Sequence, residues 1–385
     1  MNTYLFYKKI INHGGAENLL LNHFKNLSKE EEKVKIITFQ NKLFASDSIK
    51  KDIIDVKNIF GFFLFLLKNR IRNKKIICHS GYVDVYLASL FFKIDYSVFL
   101  HQPTLLSFNE SDKFAFKNLE KLESDKKLDL FKENIQILKR LRKKITFFQK
   151  QYFNFRFLLS KLALKKAKNT FVLSEISKEE KKTLYGINSH AFIGAVNNKS
   201  ILKYKKNLSE KNDNLYFCIV ARLDINKRIK KFIRSINSSK NKDKLYLDIY
   251  GKGPQLNDIK KTINILELSN NVKCKGFLSE EEKLTTINKY DYFICVDMAD
   301  FRISSYESLK ARTPVILTTE TYPDENLKDL NCFLFCKPNK KNISQFINNL
   351  FENKNLNSIN WILVEEKLSK VEWYNYFKKI NFHAL

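Results

Sequence analysis

The sequence predicts an α/β protein built from two doubly wound units, and three observations carry that prediction. Short apolar, β-branched or aromatic runs alternate with longer helical segments along the whole chain. Most of these runs are almost continuously apolar, as expected of parallel strands covered on both faces. The 385 residues allow two domains of roughly 150 to 200 residues each, and the number of predicted strands requires two sheets.

The predicted strands fall into two groups around a polar linker. The first group is Thr3–Tyr7, Val34–Phe39, Lys75–His79, Tyr96–His101 and Thr170–Ser174. The second group is Leu215–Leu223, Leu245–Tyr250, Val272–Phe277, Tyr292–Val296, Pro314–Leu317 and Cys332–Phe335. Between them lies Asn197–Asn214, whose composition is typical of a linker. We therefore expect domains at residues 1–197 and 198–365.

Charge narrows the classes of partner. The chain has 69 Lys and Arg against 41 Asp and Glu, a formal net charge of +28. Such a balance predicts attraction to nucleic acid, to an anionic membrane surface or to phosphorylated substrates. The basic residues are spread along the chain, and no zinc-finger or RNP-like motif occurs. Nucleic-acid binding is therefore only a distant alternative.

The cysteines and the apolar segments bear on the compartment. Six scattered cysteines without a C-x-x-C predict buried thiols in a reducing compartment rather than disulfides or zinc ligands. The N-terminus is too short and polar for a signal peptide. The longest apolar block, Ile59–Leu67, is far shorter than the ~20 residues that cross a bilayer. We expect a cytoplasmic protein with peripheral membrane contact at most.

One segment breaks the strand–helix alternation. Residues 134–174 contain 11 Lys or Arg and no Asp or Glu. Apolar residues recur there at steps of three and four, which predicts an amphipathic helix over about 134–166: Leu138, Leu141, Ile145, Phe148, Tyr152, Phe155, Leu159 and Leu162. This stripe packs on its own domain behind a solvated basic face, or it contacts a membrane surface or a lipid-linked acceptor.

The second half contains candidate anion-binding elements. A predicted strand ends in Arg222 and is followed by Lys227, so two cations lie where parallel sheets bind ligands. The next strand runs into a Gly-x-Gly-Pro turn, in which Gly251 and Gly253 allow close backbone approach to a ligand, although such turns are commonly structural. Further on, Asp300, Ser304 or Ser305 are candidates to cap a helix whose amides face an anion, with Glu307 in its first turns.

In this order and spacing, these pieces resemble the GT-B glycosyltransferases of the retaining family 4, which use nucleotide-sugar donors. The matching motifs are R-L-x(3)-K from Arg222 to Lys227, G-x-G-P from Gly251 to Pro254, V-x(3)-G-F from Val272 to Phe277, and F-x(5)-E-S-L-K-A-x-T-P-V-I from Phe301 to Ile316. Near the N-terminus, Gly14 and Gly15 stand where the family has a Gly-rich loop against the donor phosphates or the acceptor. Leu173–Ile187 matches the end of the family's first domain.

The resemblance implies two Rossmann-like domains facing each other across a cleft, with residues 366–385 forming a helix that crosses back to the first domain. It implies that Arg222 and Lys227 stabilise the leaving nucleotide diphosphate in place of a metal, and that Glu307 accepts hydrogen bonds from the ribose. No D-x-D occurs, so neither metal nor other cofactor is expected. His101 occupies the place of a family histidine near the transferred sugar, with a satisfied core histidine as the alternative; His79 is the weaker candidate.

Two departures concern the sugar half of the site. Where the family usually has a second glutamate, eight positions before Glu307, this chain has Ala299, so Asp297 or Asp300 is the candidate substitute. Where the family has glycine, the chain has Arg302, which brings a large cation toward the sugar-phosphate pocket. Either the donor sugar is unusual or catalysis is weakened.

The expected function is transfer of a sugar from a UDP- or GDP-sugar to a surface glycan on the inner face of the cytoplasmic membrane, with retention. The acceptor would be a lipid-linked or oligosaccharide unit of O-antigen, lipopolysaccharide or capsule, an expectation that depends on fold analogy. The alternative is a degenerate relative that binds nucleotide or glycan as a partner subunit without transfer.

Overall fold

The computed structural model describes residues 3–11, 15–30, 33–43, 48–69, 75–101, 135–136, 139, 145–192, 213–297, 302–321, 323, 325–352, 359–371, 377–378 and 380. The chain divides into two compact units. One comprises residues 1–194 together with 373–385, and the other comprises residues 195–372.

The first unit contains a parallel seven-stranded sheet in the order β3-β2-β1-β4-β5-β6-β7. Its strands are β1 (Thr3–Phe6), β2 (Val34–Thr38), β3 (Ile53–Asp55), β4 (Lys75–Cys78), β5 (Asp95–Leu100), β6 (Thr170–Val172) and β7 (His190–Ala191). Its helices are α1 (Gly15–Glu30), α2 (Ile59–Lys68), α3 (Tyr82–Ser89), α4 (Phe147–Lys166) and α5 (Glu175–Tyr185). The inner strands β1, β4 and β6 are almost entirely buried, as their continuous apolar runs require.

The second unit contains a parallel six-stranded sheet in the order β10-β9-β8-β11-β12-β13. Its strands are β8 (Leu215–Val220), β9 (Leu245–Tyr250), β10 (Val272–Gly276), β11 (Tyr292–Cys295), β12 (Val315–Thr318) and β13 (Phe333–Cys336). Its helices are α6 (Ile229–Asn237), α7 (Leu256–Ile265), α8 (Lys283–Ile287), α9 (Ile303–Lys310), α10 (Glu325–Lys328), α11 (Lys340–Glu352) and α12 (Trp361–Ser369). The strand order reverses between β8 and β11, the position at which doubly wound sheets bind ligands.

The prediction of two doubly wound units is confirmed. Every strand predicted from the sequence is present, and its ends differ from the predicted ends by at most two residues, except that β8 stops three residues earlier than predicted. The sequence did not predict strands β3 and β7, because they contain only three and two residues and are too short to show an apolar run or an alternation. Within the described part of the chain, no helix is both long and apolar enough to span a bilayer. All six cysteines are free.

The prediction of one helix over 134–166 is wrong. Helix α4 begins at Phe147, where Thr146 has an extended backbone and its hydroxyl accepts from the amide of Gln149. The Gln149 side chain in turn accepts from the Thr146 amide, which completes a capping box. This reciprocal cap marks a helix start and not an interior. Leu138 and Leu141 lie outside the described residues.

The apolar stripe of α4 does not pack on its own domain. Phe148, Tyr152, Phe155 and Leu162 are exposed. The residues of α4 that are buried are Ser160, Ala163 and Leu164. Of the two interpretations of this stripe, packing on its own domain is therefore wrong, and contact with a membrane surface or a lipid-linked acceptor stays a prediction.

The second unit also extends further toward the C-terminus than predicted. Helix α12 packs on α9 and α10 within the second unit, so the unit extends past residue 365. In the segment grouped with the first unit, Phe377 is buried and stacks on His23 of α1 with ring centroids 4.4 Å apart.

Candidate functional site

The Arg222 turn is built by the backbone of the glycine loop. After β8, the amide of Leu223 donates to the carbonyl of Lys252 at 3.0 Å, and the amide of Gln255 donates to the carbonyl of Leu223 at 2.9 Å. A Cβ on Gly251, whose φ is +138°, would lie 1.9 Å from the carbonyl oxygen of Ala221. A Cβ on Gly253 would lie within 2.8 Å of three backbone atoms of Leu223. The close approach that these glycines permit is therefore to the protein backbone, and a direct contact with a donor stays a prediction.

The two predicted cations have different surroundings. Arg222 has a side chain that is 55% exposed and pairs through Nε with Asp224 at 3.1 Å. Lys227 ends a 3₁₀ turn, Ile225–Lys227, and is mostly buried. Its Nζ donates to Oδ2 of Asp297 at 2.8 Å. Thus Lys227 has a fixed position, whereas Arg222 has a solvent-facing one.

Asp297 forms hydrogen bonds to side chains of the segments that follow β8, β11 and β12. It follows β11 and is buried, and its Oδ2 also accepts from Nη2 of Arg302. Its carbonyl accepts from the hydroxyl of Thr321 after β12 at 3.1 Å. Burial alone would raise the pKa of the Asp297 carboxyl, but the charges of Arg302 and Lys227 outweigh it and hold the pKa below its usual value. One ionised carboxylate therefore pairs with two cations, so Asp297, Lys227 and Arg302 together have a net positive charge.

A second ion pair joins the β8 and β12 ends. Arg228 has a left-handed backbone, with φ of +53°, and begins α6. Its Nη1 donates to Oε2 of Glu320, and both side chains are largely buried. Sequence reasoning missed both of these residues. The only available signal was that Arg228 directly follows Lys227.

Glu307 has a partner that the sequence did not indicate. It is buried in α9, and both of its carboxylate oxygens accept from Nζ of Lys283 in α8, at 3.1 and 3.2 Å. Burial alone would lower the pKa of Lys283, but the charges of Glu307 and Glu280 raise it above its usual value. The carboxylate has further lone pairs for ribose hydroxyls, so the ion pair orients the predicted ribose acceptor.

The capping prediction at α9 is wrong. Ser304 and Ser305 lie inside the first turn, and Arg302 occupies the N-cap position without a capping side-chain bond. Asp300, Ala299 and Phe301 lie outside the described residues, as does Gly14. Gly15 is the first residue of α1, and a Cβ there would meet nothing within 4 Å.

His101 follows β5 and belongs to a buried column of rings. His79, at the end of β4, stacks on it with centroids 5.3 Å apart, and Nε2 of His79 is 2.8 Å from Nδ1 of His23 in α1. Tyr7 meets His101 edge-on. Both ring nitrogens of His101 are buried and have no hydrogen-bond partner of normal geometry among the described residues, and burial lowers the pKa of His101 to about 4. Both interpretations of His101, as the histidine near the transferred sugar and as a satisfied core histidine, stay predictions.

The column makes stability pH-dependent. Burial also lowers the pKa of His79, so between pH 6.5 and about 4 the unfolded chain takes up protons that the folded chain excludes. The contribution of these histidines to the free energy of unfolding is fully present above pH 7 and falls as the pH decreases through that window, by roughly 1.4 kcal/mol per pH unit per histidine. Urea unfolding at several pH values measures this slope. His101→Gln should reduce the slope by the contribution of one histidine, and an unchanged slope in that variant would contradict the low pKa of His101.

Known proteins resemble this chain in sequence and in fold. Residues 200–359 match the model of the glycosyl transferases group 1 family. A stretch of 91 residues is 32% identical to the alpha-monoglucosyldiacylglycerol synthase of Streptococcus pneumoniae (strain ATCC BAA-255 / R6). This stretch spans 23% of the chain and only 21% of that relative.

Solved structures match over almost the whole chain. The lipopolysaccharide outer core galactosyltransferase WaaB superposes with a TM-score of 0.67 and 14% identity, over 100% of this chain and 99% of that one. HepE of Anabaena in complex with UDP-glucose gives 0.68 and 14%, over 99% and 98%. WaaG, a glycosyltransferase involved in lipopolysaccharide biosynthesis, gives 0.66 and 12%, over 98% of each chain. At these identities the likeness shows the fold. The chain therefore has the GT-B fold, and its residues 200–359 resemble the glycosyl transferases group 1 family.

Proposed function

We propose that this protein is a nucleotide-sugar-dependent glycosyltransferase. The single observation that carries the proposal is the cation arrangement at the carboxyl ends of β8 and β11. Lys227 and Arg302 share one buried carboxylate, so they are fixed close together with a net positive charge. A diphosphate leaving group develops negative charge during transfer, and pre-oriented cations at that point lower the barrier without reorganisation.

The donor is a UDP- or GDP-sugar, and a hexosyl group is transferred with retention and without a metal. HepE binds UDP and UDP-glucose, which supports a nucleotide diphosphate here. Arg222 and Lys227 neutralise the diphosphate, while Gly251 and Gly253 hold the Arg222 turn. Glu307 accepts from the ribose, and Gly14 and Gly15 approach the donor phosphates or the acceptor. Asp300 also binds the donor, as do Ser304 and Ser305 in the first turn of α9.

His101 acts on the sugar side. Because burial keeps its imidazole neutral near pH 7, it offers one donor and one acceptor nitrogen and no charge. Both nitrogens lack a hydrogen-bond partner of normal geometry in the part of the chain that the structure describes, so a sugar hydroxyl that bonds either of them removes the cost of a buried unsatisfied polar atom.

The acceptor is a lipid-linked or oligosaccharide unit of a bacterial surface glycan such as lipopolysaccharide, O-antigen or capsule, and the protein works on the inner face of the cytoplasmic membrane. WaaB and WaaG bear names from lipopolysaccharide synthesis, and the pneumococcal relative is named for a glycolipid product. The net charge of +28 supports contact with anionic lipid.

A panel of UDP-, GDP- and dTDP-sugars tests the function. Purified protein with lipid-linked acceptors should release nucleotide diphosphate from one donor class, in buffer that contains a metal chelator. UDP or GDP binding without release from any donor would favour the partner-subunit alternative, which the residue at Ala299 motivates. Absence of both binding and release would contradict the proposal.

A further inference from the structure

Exposed apolar side chains are concentrated on one helical layer of the first unit. Among the described residues, sixteen large apolar side chains are exposed, and eleven of these belong to α2, the turn after α3, and α4. They are Phe60, Leu64, Leu67, Leu90, Phe91, Phe147, Phe148, Tyr152, Phe155, Leu158 and Leu162. Soluble proteins rarely expose a contiguous apolar surface of this extent, so the layer indicates an interaction site.

The three elements form one continuous layer. Helices α2, α3 and α4 belong to successive crossovers that advance in the same direction, from β3 to β4, β5 and then β6. Right-handed crossovers place such helices on the same face of the sheet. Direct contacts agree: Phe63 of α2 meets Phe91 with centroids 5.6 Å apart, and Lys166 of α4 donates to the carbonyl of Ser89 in α3 at 3.2 Å.

Helix α2 has the more unusual surface. Its segment Ile59–Lys68 is apolar on every side, with Phe62 and Leu66 buried against the sheet. The outer side carries Phe60, which is 78% exposed, and Leu64 and Leu67 one and two turns further on. A helix that is apolar all round is normally surrounded by protein or lipid. Nothing in α2 or α4 carries a negative charge, since neither helix contains Asp or Glu.

The side chains around this layer are positively charged, which indicates an anionic partner. Lys57, Lys68 and Lys93 are exposed beside α2 and the α3 turn. Helix α4 contributes Lys150, Lys161, Lys165 and Lys166 together with Arg156. Apolar side chains flanked by lysine are the pattern of a surface that inserts into a bilayer with anionic headgroups. A second basic copy of this chain would repel these cations, whereas anionic lipid attracts them.

We infer that α2, the α3 turn and α4 together form a membrane platform, with two separate insertion points on α2 and α4. This inference deepens the proposed function, on which its purpose depends. Helices in such crossovers run antiparallel to the strands, so the N-terminal ends of α2 and α4 lie near the carboxyl edge of the sheet. Phe60, Phe147 and Phe148 are at those ends, and His101 follows β5 at the same edge. The platform thus brings the headgroup region of the bilayer to the edge that carries His101.

Vesicle flotation of the full chain tests the platform. Phosphatidylcholine vesicles with and without phosphatidylglycerol are compared for three double variants: Phe60→Ser with Leu64→Ser on α2, Phe148→Ser with Phe155→Ser on α4, and Ile265→Ser with Ile362→Ser in the second unit. The last pair is the matched control, because those side chains are 69% and 80% exposed but lie outside the platform. All six changes are at exposed positions, where the effect on folding is small.

The wild-type chain should bind the phosphatidylglycerol vesicles, and each platform variant should lose about tenfold or more in apparent partitioning. The control should bind like the wild type. Unchanged binding of the α2 variant would overturn the platform, since α4 alone would then suffice. If the chain ignores vesicles but sediments as a dimer that the platform variants dissociate, the layer is an interface between copies. Nucleotide release with a soluble acceptor in vesicle-free buffer should survive in all three variants, so a failure of the proposed function appears there and not in flotation.

Discussion

Replacing Lys227 by alanine should lower the rate of nucleotide-sugar turnover by about 10²–10³-fold, the usual effect of removing one fixed group that stabilises developing charge. The physical reason is that Nζ of Lys227 is held by Asp297 and needs no reorganisation when the diphosphate leaves. Steady-state release of UDP or GDP under saturating donor measures the effect. Folding should be retained, because Arg302 still pairs with Asp297 and no buried charge is left alone.

Lys230→Ala is the matched control for this change. Lys230 lies three residues further on, is partly exposed and pairs with Asp258 in α7 at 3.1 Å. A pair of this kind contributes little, so both turnover and stability should stay near the wild-type values. Arg222→Ala should lower turnover less than Lys227→Ala, because Arg222 is solvent-facing. Turnover that survives both Arg222→Ala and Lys227→Ala would contradict the charge-stabilisation mechanism.

Replacing Gly251 by alanine should destabilise the protein by about 3 kcal/mol or more and should abolish turnover at temperatures where the chain remains folded. The added methyl group would lie 1.9 Å from the carbonyl oxygen of Ala221, and the φ of +138° is itself costly for alanine. Relief of this clash must shift the glycine loop or the Arg222 turn, which are hydrogen-bonded to each other. Urea unfolding followed by circular dichroism gives the change in stability.

Gly276→Ala is the control that measures the cost of a positive φ without the steric clash expected in Gly251→Ala. Gly276 also has a positive φ, +82°, but a Cβ there meets nothing within 4 Å. Its cost should therefore be about 1 kcal/mol, the ordinary penalty for alanine in this region, and turnover should be kept. Equal losses in the two variants would show that steric contact with Ala221 is not the reason for glycine at position 251.

The sequence was informative about the sheets because continuous apolar runs such as Leu215–Val220 have no stable place except a strand covered on both faces. It was less informative about where helices begin, because several neighbouring residues compete for the N-cap position. The pattern over 134–166 satisfied a helical period, but the Thr146 capping box starts a new helix there. Similarly, Ser304 and Ser305 are good capping residues by type, yet the first turn of α9 already contains them.

The candidate site shows the same division. Arg222, Lys227, Glu307 and His101 were identified from motif order, because each follows or closes an element at a fixed distance along the chain. The ion pairs of two of them were not, since Lys227 and Asp297 are 70 residues apart and Glu307 and Lys283 are 24 residues apart. Only the packing of parallel strands brings those side chains together.

By itself, the sequence determined the two doubly wound units, the order of the motifs and the excess of positive charge, all of which depend on residue type and local spacing. The tertiary structure decided that Asp297 is shared by Lys227 and Arg302, that the glycines accommodate Ala221 and Leu223, and that the apolar stripe of α4 is exposed and not packed. The reason is physical. Periodicity states which residues share a face, whereas burial and ion pairing depend on which other element reaches that face, and this information is long-range.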